Sequence, residues 1–201
     1  MISVSYPYES QPLQALGIDA WRRAEAMGLL EPAADERETL DIPRLIDVVR
    51  DAGIARNPAL HFDNVDALTP EELASVLRLL IAALEASPVP DREWPALLRV
   101  IDGDQLAALL GISASSLRRY AARERTTPDL VAARLHHLAL IVGDLAGAYN
   151  DVGIRRWFER KRTALDGLAP SALLSGDWDP DDEAPQKVRL LARALVSLGG
   201  T

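Results

Sequence analysis

The sequence predicts an all-α protein, a helical bundle, and three observations support this fold class. Aromatic residues make up only 5% of the 201 residues, so a residue class that favours strands is sparse. No stretch alternates apolar and polar residues in the way that a half-buried strand does. Helix-start signals such as "TPEE" and "TPD" are present instead. Because 48% of the residues are hydrophobic, the chain can bury a core, which argues against disorder throughout.

The N-terminal region is predicted to be a small helical unit. Two helices are expected at "PLQALGIDAWRRAEAMGLL" and "DIPRLIDVVRDAG", followed by an irregular connector over residues 54–68 that contains His61. In "TPEE" we expect a capping box, in which Thr69 accepts from free backbone N–H groups and Glu72 reaches back. The helix behind it has a broad apolar face, formed by Leu73, Val76, Leu77, Leu80, Ile81 and Leu84, and "SPVP" ends it. We interpret the apolar faces as core, with a dimer contact as the alternative.

Residues 102–123, "DGDQLAALLGISASSLRRYAAR", predict two short helices that meet at a glycine. A helix-turn-helix needs a small residue where its helices cross and a glycine in the turn, because one residue there adopts a positive φ. With Gly103 as the first position, Ala107 is the fifth and Gly111 the ninth. The apolar positions that lock the two helices together are also filled, by Leu106, Leu110, Ile112, Leu117 and Tyr120.

The second of these helices carries the residues that we assign to DNA binding. Ser113 is expected to cap it, which leaves the side chains of its first turns pointing outward, where a recognition helix meets base edges. The candidate DNA-binding residues are Ser113, Ser115, Ser116, Arg118, Arg119, Arg123 and Arg125. Arg118 and Arg119 either read guanine bases or contact phosphates, and both roles stay open. The alternative is a helical corner with a solvated face.

Charge is distributed unevenly along the chain, whose net charge is −8. Residues 114–165 contain ten Arg and Lys against five acidic residues, whereas the rest of the chain has 12 basic and 25 acidic residues. Phosphate binding needs local positive charge, so the acidity argues against nucleic-acid binding over the whole surface but not at this basic region. A solvated, arginine-rich helical stretch is the alternative interpretation.

Further helices are predicted in the C-terminal half. One opens with "TPD", with Thr127 as cap and Pro128 in the first turn, and is expected to be central; its apolar positions are Leu135, Leu138, Val142 and Leu145. The stretch "YNDVG" ends this helix and "IRRWFERKRTAL" forms the next. Gly167 can turn the chain and Pro170 can begin a short helix. The acidic "DWDPDDEAP" at 177–185 is predicted to be a solvated loop before a last helix, "QKVRLLARALVSL".

The composition and the missing motifs disfavour several functions. Without cysteine the sequence has no disulfide, thiolate zinc site or cysteine nucleophile. No glycine-rich phosphate loop or nucleophile elbow occurs, and the adjacent His136 and His137 point about 100° apart on a helix, too far to share a metal. No enzyme activity, metal or cofactor is therefore expected. The sequence shows no signal peptide and no membrane-spanning run, so we expect a cytoplasmic protein without a membrane partner.

A second pattern follows the candidate helix-turn-helix. A tryptophan on a helix precedes a leucine and a glycine, and then a proline opens a helix that ends in paired leucines; the residues are Trp157, Leu165, Gly167, Pro170, Leu173 and Leu174. With this pattern, residues 104–198 resemble the Xre/ParS-type antitoxins of bacterial toxin-antitoxin modules. The resemblance covers about half of the chain. It implies a helix-turn-helix followed by a small C-terminal helical toxin-binding domain.

The resemblance also implies a function. It suggests a type II antitoxin that binds and inhibits a RES-domain toxin, an enzyme that degrades NAD⁺, and that represses its own promoter through operator DNA. The implied toxin-binding residues are Trp157, Gly167, Pro170, Leu173 and Leu174. Trp157 can equally be a buried core residue. Two alternatives stay open: a helix-turn-helix transcriptional regulator without a toxin partner, and a protein-interaction module that does not contact DNA.

These considerations divide the chain into three regions. We expect an N-terminal helical region of unknown role over residues 1–90, a DNA-binding region over 91–149 and a toxin-binding domain over 150–201. A homodimer, or a hetero-oligomer with the toxin, is expected because proteins that read DNA half-sites usually pair.

Overall fold

A computed structural model describes residues 10–32, 40–54 and 68–198, and all regular secondary structure within these ranges is helical. This confirms the predicted all-α fold. The chain divides into two compact units, residues 1–87 and 88–201. The predicted division at residue 90 lies close to this boundary, whereas the predicted division between residues 149 and 150 falls inside the second unit. The predicted connector, with His61, lies almost entirely outside the described residues.

Three helices are described in the first unit: α1 (Gln11–Ala26), α2 (Ile42–Asp51) and α3 (Pro70–Glu85). α1 packs against both of the others. The predicted capping box at the start of α3 is confirmed, because the Glu72 N–H donates to Thr69 Oγ1 at 3.3 Å and the Thr69 N–H donates to Glu72 Oε2 at 2.8 Å. Arg23 of α1 is buried and pairs with Asp19 and with Glu85 of α3, so its charge is compensated inside this unit.

The second unit is built around one long helix. Its elements are α4 (Pro90–Val100), α5 (Gly103–Leu110), α6 (Ala114–Ala121), α7 (Asp129–Leu145), α8 (Asp151–Glu159), a 3-10 turn (Thr163–Leu165), α9 (Pro170–Leu173) and α10 (Glu183–Leu198). Every residue of α7 from 134 to 145 is buried, with α4, α5 and α10 packed around it. A helix covered on all sides must be apolar around most of its circumference, as the sequence of α7 is.

Helix α4 is absent from the sequence prediction. It begins at Pro90, where "SPVP" was interpreted only as the end of α3, and it contains Pro95. A proline inside a helix removes a backbone donor and commonly ends it, so the local signal is against a helix here. Trp94 and Leu97 are fully buried, and α4 packs against α7. Burial of these apolar side chains therefore outweighs the cost of Pro95.

Three boundaries differ from their predictions. Pro128 is the N-cap of α7, and Thr127 does not cap the helix, because its Oγ1 accepts instead from Trp94 Nε1 at 3.0 Å. α8 already begins at Asp151, inside the stretch predicted to be a break, because Asn150 caps it. The acidic segment is not simply a solvated loop, since its Trp178 is only 5% exposed and α10 begins at Glu183.

Among the described helices, none is by itself long and apolar enough to cross a membrane. Of the helices that the structure describes, only α3 and α4 taken together reach the length and hydropathy of a span.

Candidate functional site

The corner between α5 and α6 is formed by capping chemistry at three positions. Asp102 caps the start of α5 by accepting from the Gln105 N–H at 2.9 Å. Gly111 ends α5 with φ 66° and ψ 31°, the left-handed conformation that glycine adopts at helix ends. Ser113 caps α6, as predicted, and accepts from the Ser116 N–H at 3.1 Å. The chain therefore turns between the two helices within three residues, 111–113.

Gly111 is required for a second reason, which is close packing. A Cβ added at this position would lie far inside van der Waals distance of the Gly176 carbonyl oxygen. The turn between α5 and α6 therefore sits directly against the segment that leads from α9 to α10.

An aromatic pair, Tyr120 of α6 and Trp94 of α4, anchors α6 to the rest of the unit. The buried residues of α6 are Leu117 and Tyr120. The Tyr120 ring stacks on Trp94 of α4 with 6.2 Å between ring centroids and 24° between the planes. One face of α6 is thus fixed by apolar contacts, and the opposite face points to solvent.

The exposed face of α6 carries three of the seven predicted DNA-binding residues. Ser115, Arg118 and Arg119 are exposed, and the part of the chain that the structure describes provides no ion pair for either arginine. Ser113 and Ser116 are used locally, because their hydroxyls lie 3.0 Å apart and Ser113 caps the helix. These two serines therefore shape the first turn of α6.

The last two predicted residues, Arg123 and Arg125, are exposed but held near the end of α6. Arg123 adopts a positive φ of 57°, its Nη2 donates to the Asp91 carbonyl at 3.1 Å, and its Nε lies 4.0 Å from the Asp91 carboxylate. The guanidinium of Arg125 lies 5.8 Å from the centre of the Tyr120 ring. These two arginines thus lie beside the exposed face of α6. Arg123 already donates a hydrogen bond, and Arg125 lies near the ring of Tyr120.

The predicted toxin-binding residues fall into buried and exposed groups. Trp157 is 1% exposed, Leu174 is 0% exposed and Pro170 is buried, so these three belong to the core. Trp157 packs against Phe158 with a ring-centroid distance of 5.4 Å. Leu173 is half-buried, and Gly167 is exposed with φ 79°. The predicted turn at Gly167 and the short helix at Pro170 are confirmed.

A buried polar cluster joins the segment before α10 to the end of α5. Arg134 of α7 donates from Nη1 to the Leu110 carbonyl at 3.1 Å, from Nε to the Trp178 carbonyl at 2.5 Å and from Nη2 to Asp177 at 2.7 Å. Trp178 Nε1 donates to the Leu109 carbonyl at 2.9 Å. Carbonyls at the end of a helix lack partners within it, so Arg134 and Trp178 satisfy the end of α5. Neither residue is marked as functional by a local sequence pattern.

Comparison with known proteins gives no relative. No protein-family model, curated protein or solved structure matches this chain significantly. The assignment of a function to the site therefore depends on its own chemistry and on the sequence pattern.

The two adjacent histidines are core residues with different partners. His136 Nδ1 lies 2.6 Å from Glu93 Oε1 of α4, and His137 Nε2 lies 3.2 Å from the Pro185 carbonyl of α10. Burial raises the pKa of Glu93, against the effect of His136, and burial lowers the pKa of His137 to about 4. The two rings therefore link α7 by hydrogen bonds to α4 and to α10.

Proposed function

We propose that this protein is a DNA-binding antitoxin that represses its own promoter and inhibits a RES-type toxin through the region from about residue 150 onward. The observation that carries the DNA-binding half is the exposed face of α6. Its Ser115, Arg118 and Arg119 project from a short helix that a left-handed glycine, a serine cap and a buried aromatic pair hold in place. A helix held in this way, with Arg118 and Arg119 exposed in its last turn, is suited to contact base edges or phosphates in the major groove.

The toxin-binding half is supported by the resemblance of residues 104–198 to Xre/ParS-type antitoxins. In this proposal the buried Trp157 and Leu174 maintain the shape of the segment, and its exposed residues meet the toxin. Leu168, next to Gly167, is 46% exposed and is a suitable apolar contact.

Co-expression tests the toxin half. Expression of the protein together with the product of the adjacent reading frame should restore growth, and affinity purification should recover a stable complex of the two. Recovery of this protein alone, with no rescue of growth, would count against an antitoxin.

A gel shift with the gene's own upstream DNA tests the other half. Replacement of Arg118 and Arg119 by Ala should weaken binding by at least about 30-fold near 0.1 M salt, because each good arginine contact to a base supplies about 1–3 kcal/mol and the variant removes two arginines. R44A/R50A is a matched control, because these two arginines are also exposed but lie on α2. Absence of any shift by the parent protein at low salt would refute DNA binding.

A helix-turn-helix regulator without a toxin is the second candidate. The burial of Trp157 and Leu174 favours it, because residues that the resemblance assigns to toxin binding then have a sufficient role in the core. Purification of a DNA-binding protein with no partner and no effect on growth would support this candidate.

A further inference from the structure

A groove of about 550 Å³ lies between α5, α8 and α9, away from the exposed face of α6. Ala108 and Leu109 of α5 form its apolar part, and Arg155, Arg156 and Arg160 line it from α8 and its C-cap. The volume lies within the range of about 300–1,000 Å³ that is typical of ligand-binding clefts. The proposed toxin-binding region, from about residue 150 onward, includes the α8 and α9 side of this groove, whereas the α5 side lies outside it.

The charged groups that line the groove differ in how far their bonding capacity is used. Glu159 accepts from Gln105 Nε2 at 3.0 Å and from Ser171 Oγ at 3.2 Å, so both of its oxygens are occupied. Arg155 donates to the Val100 carbonyl at 2.7 Å. Arg156 and Arg160 are exposed, and the described part of the chain offers neither of them an ion pair. The groove therefore offers two guanidinium groups beside the exposed Ala108, and the Asp102 carboxylate, which caps α5, also lines it.

We propose that this groove docks an acidic peptide segment of the toxin. An Asp or Glu side chain of that segment pairs with Arg156 and Arg160, because the planar guanidinium matches a carboxylate. An apolar neighbour of the acid packs against the exposed Ala108. This inference rests on the proposed function, since it names the surface and the chemistry through which the toxin is recognised.

A protein segment fits the groove better than nucleic acid does. The carboxylates of Asp102 and Glu159 also line the groove, and a phosphate chain that ran through it would meet both. A nucleic-acid strand carries a phosphate at every nucleotide, whereas a peptide segment can place one carboxylate at the two arginines and uncharged residues beside the acids. The apolar part of the groove also suits a side chain rather than a sugar-phosphate backbone.

Two pairs of variants test the proposal in the purified complex with the product of the adjacent reading frame. R160E reverses a charge that lines the groove, and K161E makes the same change at the next, exposed residue, which does not line it. A108W fills the groove, and A146W places the same side chain at an exposed position elsewhere. We expect R160E and A108W to weaken the complex about tenfold or more, and K161E and A146W to change its affinity less than about threefold.

The outcomes separate this inference from the proposed function. If the parent protein forms no complex, the proposed function fails and this inference fails with it. If the complex forms and R160E and A108W leave its affinity unchanged, only the groove is refuted. Loss of the DNA shift with the complex intact would show a nucleic-acid surface instead. A changed oligomeric state of R160E alone would show that a second copy of this chain occupies the groove. Far-ultraviolet circular dichroism checks that each variant is folded.

Discussion

Gly111 shows that a single glycine can be required both for its backbone conformation and for its missing side chain. Its φ is 66°, and the Gly176 carbonyl occupies the space of a Cβ. Gly167 has a similar φ of 79°, but nothing lies within 4 Å of the corresponding Cβ position. Gly111 and Gly167 therefore share a left-handed backbone conformation, but only at Gly111 would an added Cβ clash with a neighbour.

We predict that Gly111→Ala lowers the free energy of unfolding more than Gly167→Ala does. Both changes incur about 1–2 kcal/mol from the left-handed conformation. Gly111→Ala also pushes the turn away from Gly176 and strains the hydrogen bonds of Arg134 and Trp178, so its total cost should exceed 2 kcal/mol. Urea unfolding of both variants measures the difference, and equal losses would show that the contact with Gly176 is not tight in solution.

His137 should make stability depend on pH. Burial lowers its pKa in the folded protein to about 4, whereas an unfolded histidine titrates near 6.5. Between these values the unfolded chain holds a proton that the folded chain does not. Stability should therefore fall as the pH decreases from about 6.5 to 4, by at most about 3 kcal/mol. Glu93 acts in the opposite direction, because its raised pKa favours proton uptake on folding.

A variant isolates the contribution of His137. In His137→Gln the side chain no longer titrates but keeps an N–H donor for the Pro185 carbonyl, and Glu93 is unchanged. Urea unfolding at pH 7 and pH 4.5 should show a smaller loss of stability for the variant than for the parent. A loss of the same size in both proteins would assign the pH dependence to other groups.

Among single residues, those with local partners were predictable and those with distant partners were not. Thr69 and Ser113 are predictable because the N–H groups that they cap lie three positions away, and the turn at Gly111 is predictable from its place between two helical segments, although its contact with Gly176 is not. Trp178 was interpreted as part of a solvated acidic loop, since its buried partner, the Leu109 carbonyl, lies 69 positions away. Arg134 and Asp177, 43 positions apart, had no shared sequence signal either.

At the scale of elements, α6 is a helix of only eight residues, and its N-terminal cap should contribute strongly to its stability. Isolated helices of this length are marginal, so α6 depends on packing and capping. The Ser113 hydroxyl supplies the cap, whereas Ser115 is exposed and caps nothing.

We therefore predict that Ser113→Ala lowers the free energy of unfolding by about 1 kcal/mol, the usual cost of a lost N-cap. Ser115→Ala is the matched control and should change stability by less than about 0.5 kcal/mol. Thermal and urea unfolding measure both effects. A stability loss for Ser115→Ala as large as that for Ser113→Ala would mean that the capping bond is not formed in solution.

The element that the sequence did not predict, α4, shows the limit of local reasoning about helices. Its two prolines are signals for a helix start and a helix end, and both stand in a stretch of only 11 residues. The helix is stabilised from outside, by the contact of Trp94 with Tyr120 and by packing on α7. Neither contact can be deduced from the composition of the stretch itself. Its tryptophan indicates only that part of the stretch is buried in a core.

At the scale of the whole molecule, the negative charge belongs to one unit. Residues 88–201 contain 15 Arg and Lys and 15 Asp and Glu, so this unit has no net charge. Residues 1–87 contain 7 basic and 15 acidic residues and account for the entire net charge of −8. The acidity that argues against nucleic-acid binding over the whole surface is thus a property of the unit that lacks α6.

This distribution predicts how a fragment of residues 88–201 behaves. The fragment contains the described contacts of α6 with α4 and α5, so it should fold and bind the upstream DNA. Removal of eight net negative charges reduces repulsion from phosphate, and the fragment should therefore bind more tightly than the full chain at about 50 mM salt. The difference should shrink at about 200 mM salt, because screening weakens long-range repulsion more than direct contacts. Gel shifts of both proteins at the two salt concentrations measure this difference in affinity.

A folded fragment that binds more weakly than the full chain would mean that the N-terminal unit contributes contacts to DNA. The assignment of DNA binding to the second unit alone would then be wrong.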